Sequence, residues 1–154
     1  MTEVRWLTAP EQDAWRSYVV AGLRLRQRLH RELTEAHQVS LADYEVLVVL
    51  QVQEDGRRRM SDLASDLGST KSRLSHQVAR MEANGYVRRV PDPEDKRGVI
   101  AELTPAGDAL LERAAPTHVA GVRQHLIDLL DPAEQQVVGT VFSRVLEHLT
   151  DLPE

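Results

Sequence analysis

Apolar residues along this chain recur mainly at intervals of three and four, in segments that open on helix-capping residues. Thr8-Ala9-Pro10-Glu11 supplies a threonine cap, a proline in the first turn and a glutamate at the third helical position, the elements of a capping box. A long helix is expected from there to about His37, with Trp15, Tyr18, Val19, Gly22, Leu25, Leu29 and Leu33 sharing one face. Ser40 caps a second helix that carries Tyr44 to about Val52. The run VLVVL inside it could pass for a buried strand, but its length and the cap favour helix. Ser61 opens a short helix, SDLASDLG, ended by Gly68. After a tight turn, Thr70 to Asn84 forms another, with Leu74, Val78 and Met81 inward and Asn84-Gly85 closing it. Thr104-Pro105 starts a helix to about Leu130, with a kink expected near Pro116. Asp131-Pro132-Ala133-Glu134 launches the last, through His148.

One segment breaks this periodicity. YVRRV alternates, PDPEDKRG turns, and VIAEL alternates again, which reads as a β-hairpin between Tyr86 and Thr104 with Lys96 and Arg97 near its tip. The chain therefore reads as a single domain over 1–154, mostly α with a small β-hairpin, without internal repeat or low-complexity linker.

Composition narrows the classes. Aromatics make up only 4% of the 154 residues, so the core must be chiefly Leu, Val and Ala, which suits helices. The absence of cysteine excludes a disulfide framework, a Cys-based zinc site and a thiol switch. No apolar run reaches the length of a membrane span, and MTEVRWLTAPEQ lacks the basic and apolar regions of a signal peptide. A cytoplasmic protein without membrane contact is the expectation. The net charge of −5 argues against nucleic acid until it is divided. From Arg57 to Arg97 there are ten Lys/Arg against six Asp/Glu, and elsewhere nine against eighteen. A basic middle between acidic flanks suggests a basic working module on an acidic frame.

The chemistry concentrates there. Opposite the apolar stripe of the helix after Thr70 lie Ser69, Ser72, Arg73, His76 and Arg80, with no acid among them. Hydroxyls and helix N-terminal amides, here with Thr70, Lys71 and Ser75, suit phosphates, and an arginine fork suits guanine O6/N7. Two short helices joined by a glycine-containing turn make a helix-turn-helix, and a hairpin beside it makes a wing. Arg97, with Lys96, is placed for the narrow minor groove, and Arg88 and Arg89 for phosphate. Asp95, two residues before Arg97, is expected to support it by a bidentate pair. A solvated helix and an ordinary surface hairpin are the plainer alternatives.

The stretch from DLASDLG through NGYVRR to DPEDKRGVIAELTPAG resembles the MarR family of transcriptional regulators. The specific match is Asp95-Lys96-Arg97-Gly98 followed by Leu103-Thr104 and Gly107. The resemblance implies a winged helix-turn-helix over 41–104, flanked by N- and C-terminal dimerisation helices over 8–38 and 105–150. It implies a homodimer on a double-stranded, pseudo-palindromic DNA operator, usually as a repressor, with Thr70–Asn84 as recognition helix, Arg97 at the wing tip and Asp95 bracing it. It also implies a small, often aromatic or anionic, effector.

Arg26 lies within the apolar face of the first helix, with His30 one turn on, and a cation there needs a partner. A carboxylate ligand, with Trp15 and Tyr18 against its ring, is one candidate. An acid from the fold or from a second subunit is the other. His30/His37 and His118/His125 are each seven apart, about 10.5 Å along a helix, too far for either pair to chelate one ion alone. A zinc-responsive regulator of the same fold remains an alternative, as does a winged helix turned to protein–protein contact, but no metal ligand set or cofactor is specified. No phosphate loop, nucleophile elbow or triad appears, and no catalytic activity is expected.

Overall fold

A computed structural model describes residues 4–152. Six α-helices and a small sheet run in the order α1 (Ala9–His37), α2 (Leu41–Gln51), β1 (Arg57–Arg59), α3 (Met60–Asp66), α4 (Lys71–Ala83), β2 (Val87–Pro91), β3 (Val99–Leu103), α5 (Pro105–His125) and α6 (Pro132–Thr150), with a 3₁₀ turn at Ile127–Leu129. The mostly helical fold with a β-hairpin wing is as expected. The local causes are also those read from the chain. The Glu11 carboxylate accepts from the Thr8 amide at 2.7 Å and its hydroxyl at 2.9 Å, and the Ser40 hydroxyl accepts from the Asp43 amide. VLVVL is helical within α2, whose Val46, Leu47 and Leu50 are wholly buried.

Three boundaries differ. α3 begins at Met60, not at a Ser61 cap, because the Met60 side chain packs on the core while Ser61 turns outward to the Asp62 carboxylate. α5 ends at His125 and continues only as the 3₁₀ turn. The hairpin is also part of a three-stranded antiparallel sheet of order β1-β3-β2, in which Arg57, Arg58 and Arg59 pair with Glu102, Ala101 and Ile100. Three consecutive arginines carry no hydrophobic alternation, so nothing in the pattern announces this strand.

The core joins Leu29 and Leu33 of α1, the buried face of α2, Leu63, Leu74, Val78, Met81, Val87 and Ala101 of the winged helix, and Leu110, Leu111 and Ala114 of α5. Gly121 on α5 lets α1 approach closely, since a Cβ there would meet Glu32 Oε2 at 2.5 Å and Leu29 Cδ2 at 2.8 Å. The helix-turn-helix is thereby fixed to the α1–α5 pair. α6 differs: none of its residues is buried, and it touches its own chain through Phe142, stacked on Tyr18 at 5.1 Å, and through Gln135 at its first turn.

Candidate nucleic-acid interface

The turn between α3 and α4 closes on Gly68 at φ +57°, and the Ser69 amide donates back to the Ala64 carbonyl. Thr70 then caps α4, its hydroxyl accepting from the Arg73 amide at 3.2 Å. Because Leu74, Val78 and Met81 are committed to the core, α4 presents Lys71, Ser72, Arg73, Ser75 and His76 to solvent, with Ser69 half-buried beside them. Among the described residues, Lys71 and Arg73 have no acidic partner within ion-pair distance, and neither do Lys96 and Arg97 at the hairpin tip.

Three other cations expected on this surface are engaged within the fold. Arg80 Nη2 lies 2.9 Å from Asp43 Oδ1, which also accepts from Gln77 Nε2 at 3.1 Å. Asp43, in the first turn of α2, thus holds α4 at two successive turns. Arg88 pairs with Glu102 at 2.7 Å, and Arg57 meets the other oxygen of that carboxylate at 2.9 Å. Arg89 is bound through its backbone amide and its guanidinium to Glu82, at 2.8 Å each. Those bonds, the backbone one foremost, hold the Glu82 carboxyl below its ordinary range. All three arginines remain at the surface, but each would have to leave or share its acid to reach a phosphate.

The hairpin tip also departs from expectation in detail. Asp95 engages Arg97 through the backbone, its Oδ1 accepting from the Arg97 amide at 2.9 Å, with no carboxylate–guanidinium pair between them. An Asx turn needs only the local two-residue spacing and makes no demand on the guanidinium. The acid that sequence reasoning overlooked is Asp92, 5% exposed and paired with Arg59 of β1.

The residues singled out for a ligand do not converge within one chain. Trp15 and Tyr18 are exposed and stack toward Phe142. Arg26 lies eleven residues beyond Trp15, about 16 Å along the helix. Its guanidinium forms two bonds to Glu45, at 2.7 and 2.9 Å, which raise its pKa. The acid partner comes from the fold. His30 Nδ1 accepts from the Leu41 amide at 3.3 Å, tying α1 to the start of α2. A cleft of about 260 Å³ does open beside Arg26 and Glu45, reaching Arg73 and Gln77 of α4. Among the described residues no three His, Asp or Glu side chains come together to hold a metal ion, and no helix is long and apolar enough to cross a membrane.

Comparison with known proteins bears on this surface. The sequence model of the MarR family matches residues 37–98, from the end of α1 to the hairpin tip. A MarR family transcriptional regulator from Streptomyces coelicolor, solved in complex with DNA, is 45% identical, with a TM-score of 0.90 over 97% of this chain and 93% of that one. AbsC, another MarR family regulator from Streptomyces coelicolor, is 41% identical, with a TM-score of 0.89 over 97% of this chain and 100% of that one. An uncharacterised HTH-type transcriptional regulator of Bacillus cereus is 28% identical over 121 residues, 79% of each chain.

Proposed function

This chain belongs to the MarR family of transcriptional regulators, and on that premise we propose that it is a homodimer that binds a pseudo-palindromic operator and represses from it. The observation that carries the reading is the sorting of its cations. Lys71, Arg73, Lys96 and Arg97 stand without acidic partners on α4 and the hairpin tip, where a major-groove helix and a minor-groove wing would meet a duplex. The related Streptomyces coelicolor regulator solved with DNA supports the choice of partner.

The dimer is supported by α6 and the N-terminal arm. Val137, Val141, Phe142, Val145, Leu146 and Leu149 are exposed at spacings of three and four, Trp15 and Tyr18 extend this apolar surface through the Tyr18–Phe142 contact, and Trp6 and Leu7 are exposed in the arm before α1. An apolar face of this kind on a helix that barely touches its own chain calls for a partner of the same character, and a second copy supplies it. At 1.5 Å per residue the 29 residues of α1 span about 43 Å, enough to hold two recognition helices the 34–36 Å of one DNA turn apart.

Release by a small anionic ligand fits the cleft between Arg26, Glu45 and Arg73. An anion seated there would compete with Glu45 for Arg26 and draw on an arginine of the recognition helix.

Fluorescence anisotropy tests the whole reading, with the duplex upstream of the protein's own gene, a scrambled duplex and a salt series, and light scattering for stoichiometry. Tighter, salt-sensitive binding of one dimer to the native duplex is expected. Equal and weak binding to both, or a monomer on DNA, counts against it.

A further inference from the structure

The loop from Asp92 to Gly98 closes on itself: the Asp92 amide donates to the Gly98 carbonyl at 3.1 Å, and the Gly98 amide to the Asp95 carbonyl at 2.8 Å. Asp92 is the one buried charged side chain among the described residues. Its Oδ1 accepts from the Glu94 amide at 2.9 Å, and its Oδ2 lies 2.6 Å from Arg59 Nε. That second contact is an ion pair without an aligned N–H, so Oδ2 is held by charge alone. Arg59 also reaches Glu94 at 3.3 Å.

Arg59 is the last residue of β1 and immediately precedes α3, the first helix of the helix-turn-helix. A buried carboxylate at the base of the tip is therefore fastened to the element that carries the recognition helix, across the intervening strand β3. Taking a carboxylate out of water carries a desolvation cost that pairing with one half-exposed arginine can fail to offset. The loop is also packed down on it, since a Cβ on Gly98 would fall 2.9 Å from Asp92 Cβ and 3.1 Å from its Oδ2.

We propose that the Asp92–Arg59 pair is the positioning device of the wing: it fixes the loop that presents Lys96 and Arg97 at a set angle to the recognition helix. This rests on the DNA-binding reading above and adds a residue pair to it. Neither member touches DNA. Asp92 acts through the loop it anchors, and Arg59 through Asp92. A wing cut loose keeps its charges but loses its aim, so narrow-groove recognition falls while helix recognition stays.

The test uses the full-length protein and a duplex that the wild type already binds, so that failure of the DNA-binding reading shows first and separately. Asp92→Asn and Arg59→Ala are compared with Arg97→Ala, and Arg59→Lys serves as the conservative rescue. Affinity is measured for A·T-rich and G·C-rich flanks and for a duplex with one half-site base pair changed, with thermal melting as the fold control. The expected result is that both variants lose the flank preference to the extent that Arg97→Ala does, keep the discrimination at the half-site, and that Arg59→Lys recovers part of the preference. Flank preference equal to wild type in a folded Asp92→Asn overturns the proposal. So does an equal loss at flank and half-site, which marks a general weakening of the domain. Gly98→Ala gives a second route: loss of flank preference supports the proposal, and indifference opposes it.

Discussion

Replacing Lys96 by alanine removes a cation that has no acid to lose, whereas replacing Arg88 removes one already paired with Glu102 at 2.7 Å. The two variants have the same formal charge change, so any difference in DNA binding reports the environment. With Lys71, Arg73, Lys96 and Arg97 unpaired on α4 and the hairpin tip of each subunit, a dimer carries eight such groups on this face. If each neutralises one phosphate, the slope of log K against log salt is about −7 on B-DNA. Lys96→Ala acts in both subunits and should make that slope shallower by about 1.8. Between 50 and 200 mM salt the wild type would then lose about 12-fold more affinity than the variant. Arg88→Ala should change the slope by less than half as much, because Arg88 is held by Glu102 and would have to leave or share that carboxylate to reach a phosphate. Anisotropy titrations at five salt concentrations resolve the difference. Equal slopes for the two variants, or a steeper loss for Arg88→Ala, would refute the sorting of cations by partner.

Other parts of the fold give further expectations. Gly107 packs against the Tyr86 carbonyl, so Gly107→Ala drives a methyl into backbone and should cost about 3 kcal/mol, read as a lowered urea midpoint; an unchanged midpoint would contradict the packing. Phe142→Asp places a carboxylate on the exposed face of α6. It should convert the dimer to monomer at micromolar concentration by light scattering, with about 1.5–3 kcal/mol of burial lost per subunit; an intact dimer would move the interface elsewhere. His118 is stacked on Tyr44 with its Nδ1 buried and unpartnered, and burial holds its pKa below the ordinary value against an opposing pull from Glu45. The fold therefore favours neutral imidazole. This contribution is whole above about pH 6.5 and is lost as pH falls through that value toward the folded one, at no more than about 1.4 kcal/mol per pH unit. Chemical denaturation at pH 7.5 and 5.5 should show a larger drop for wild type than for His118→Leu; equal drops would remove His118 as the cause.

Caps and apolar spacing make the helices legible because both act within a few residues. The Leu-Thr-x-x-Gly stretch is one example. The Thr104 hydroxyl donates to the Gly85 carbonyl at 2.6 Å and accepts from the Gly107 amide at 3.1 Å, so the motif locks the end of the sheet to the start of α5. The exposed face of α4 is legible for the same reason, since fixing Leu74, Val78 and Met81 inward fixes the rest outward. What the chain does not disclose depends on pairing across distance. Arg80 meets an acid 37 residues away, and Arg88 one 14 away, so spacing cannot tell either from an unpaired arginine. Asp92 sits in PDPED, where proline and acids suggest an open turn. It packs against Gly98 of its own loop and pairs with Arg59 of β1, a strand with no hydrophobic signature. Arg26 reads as a cation in need of a partner, but Glu45 lies on another helix, so the chain alone cannot say which acid meets it or set the ligand aside.

The central claim is that this face reads DNA sequence as a symmetric pair. Selecting bound duplexes from a fully randomised pool and sequencing them tests it most directly, because no operator sequence has to be assumed. The account predicts enrichment of an inverted repeat with half-site centres one helical turn apart, about 10–10.5 base pairs or a multiple of it. A pool that emerges unenriched, or enriched in a site without two-fold symmetry, would contradict it.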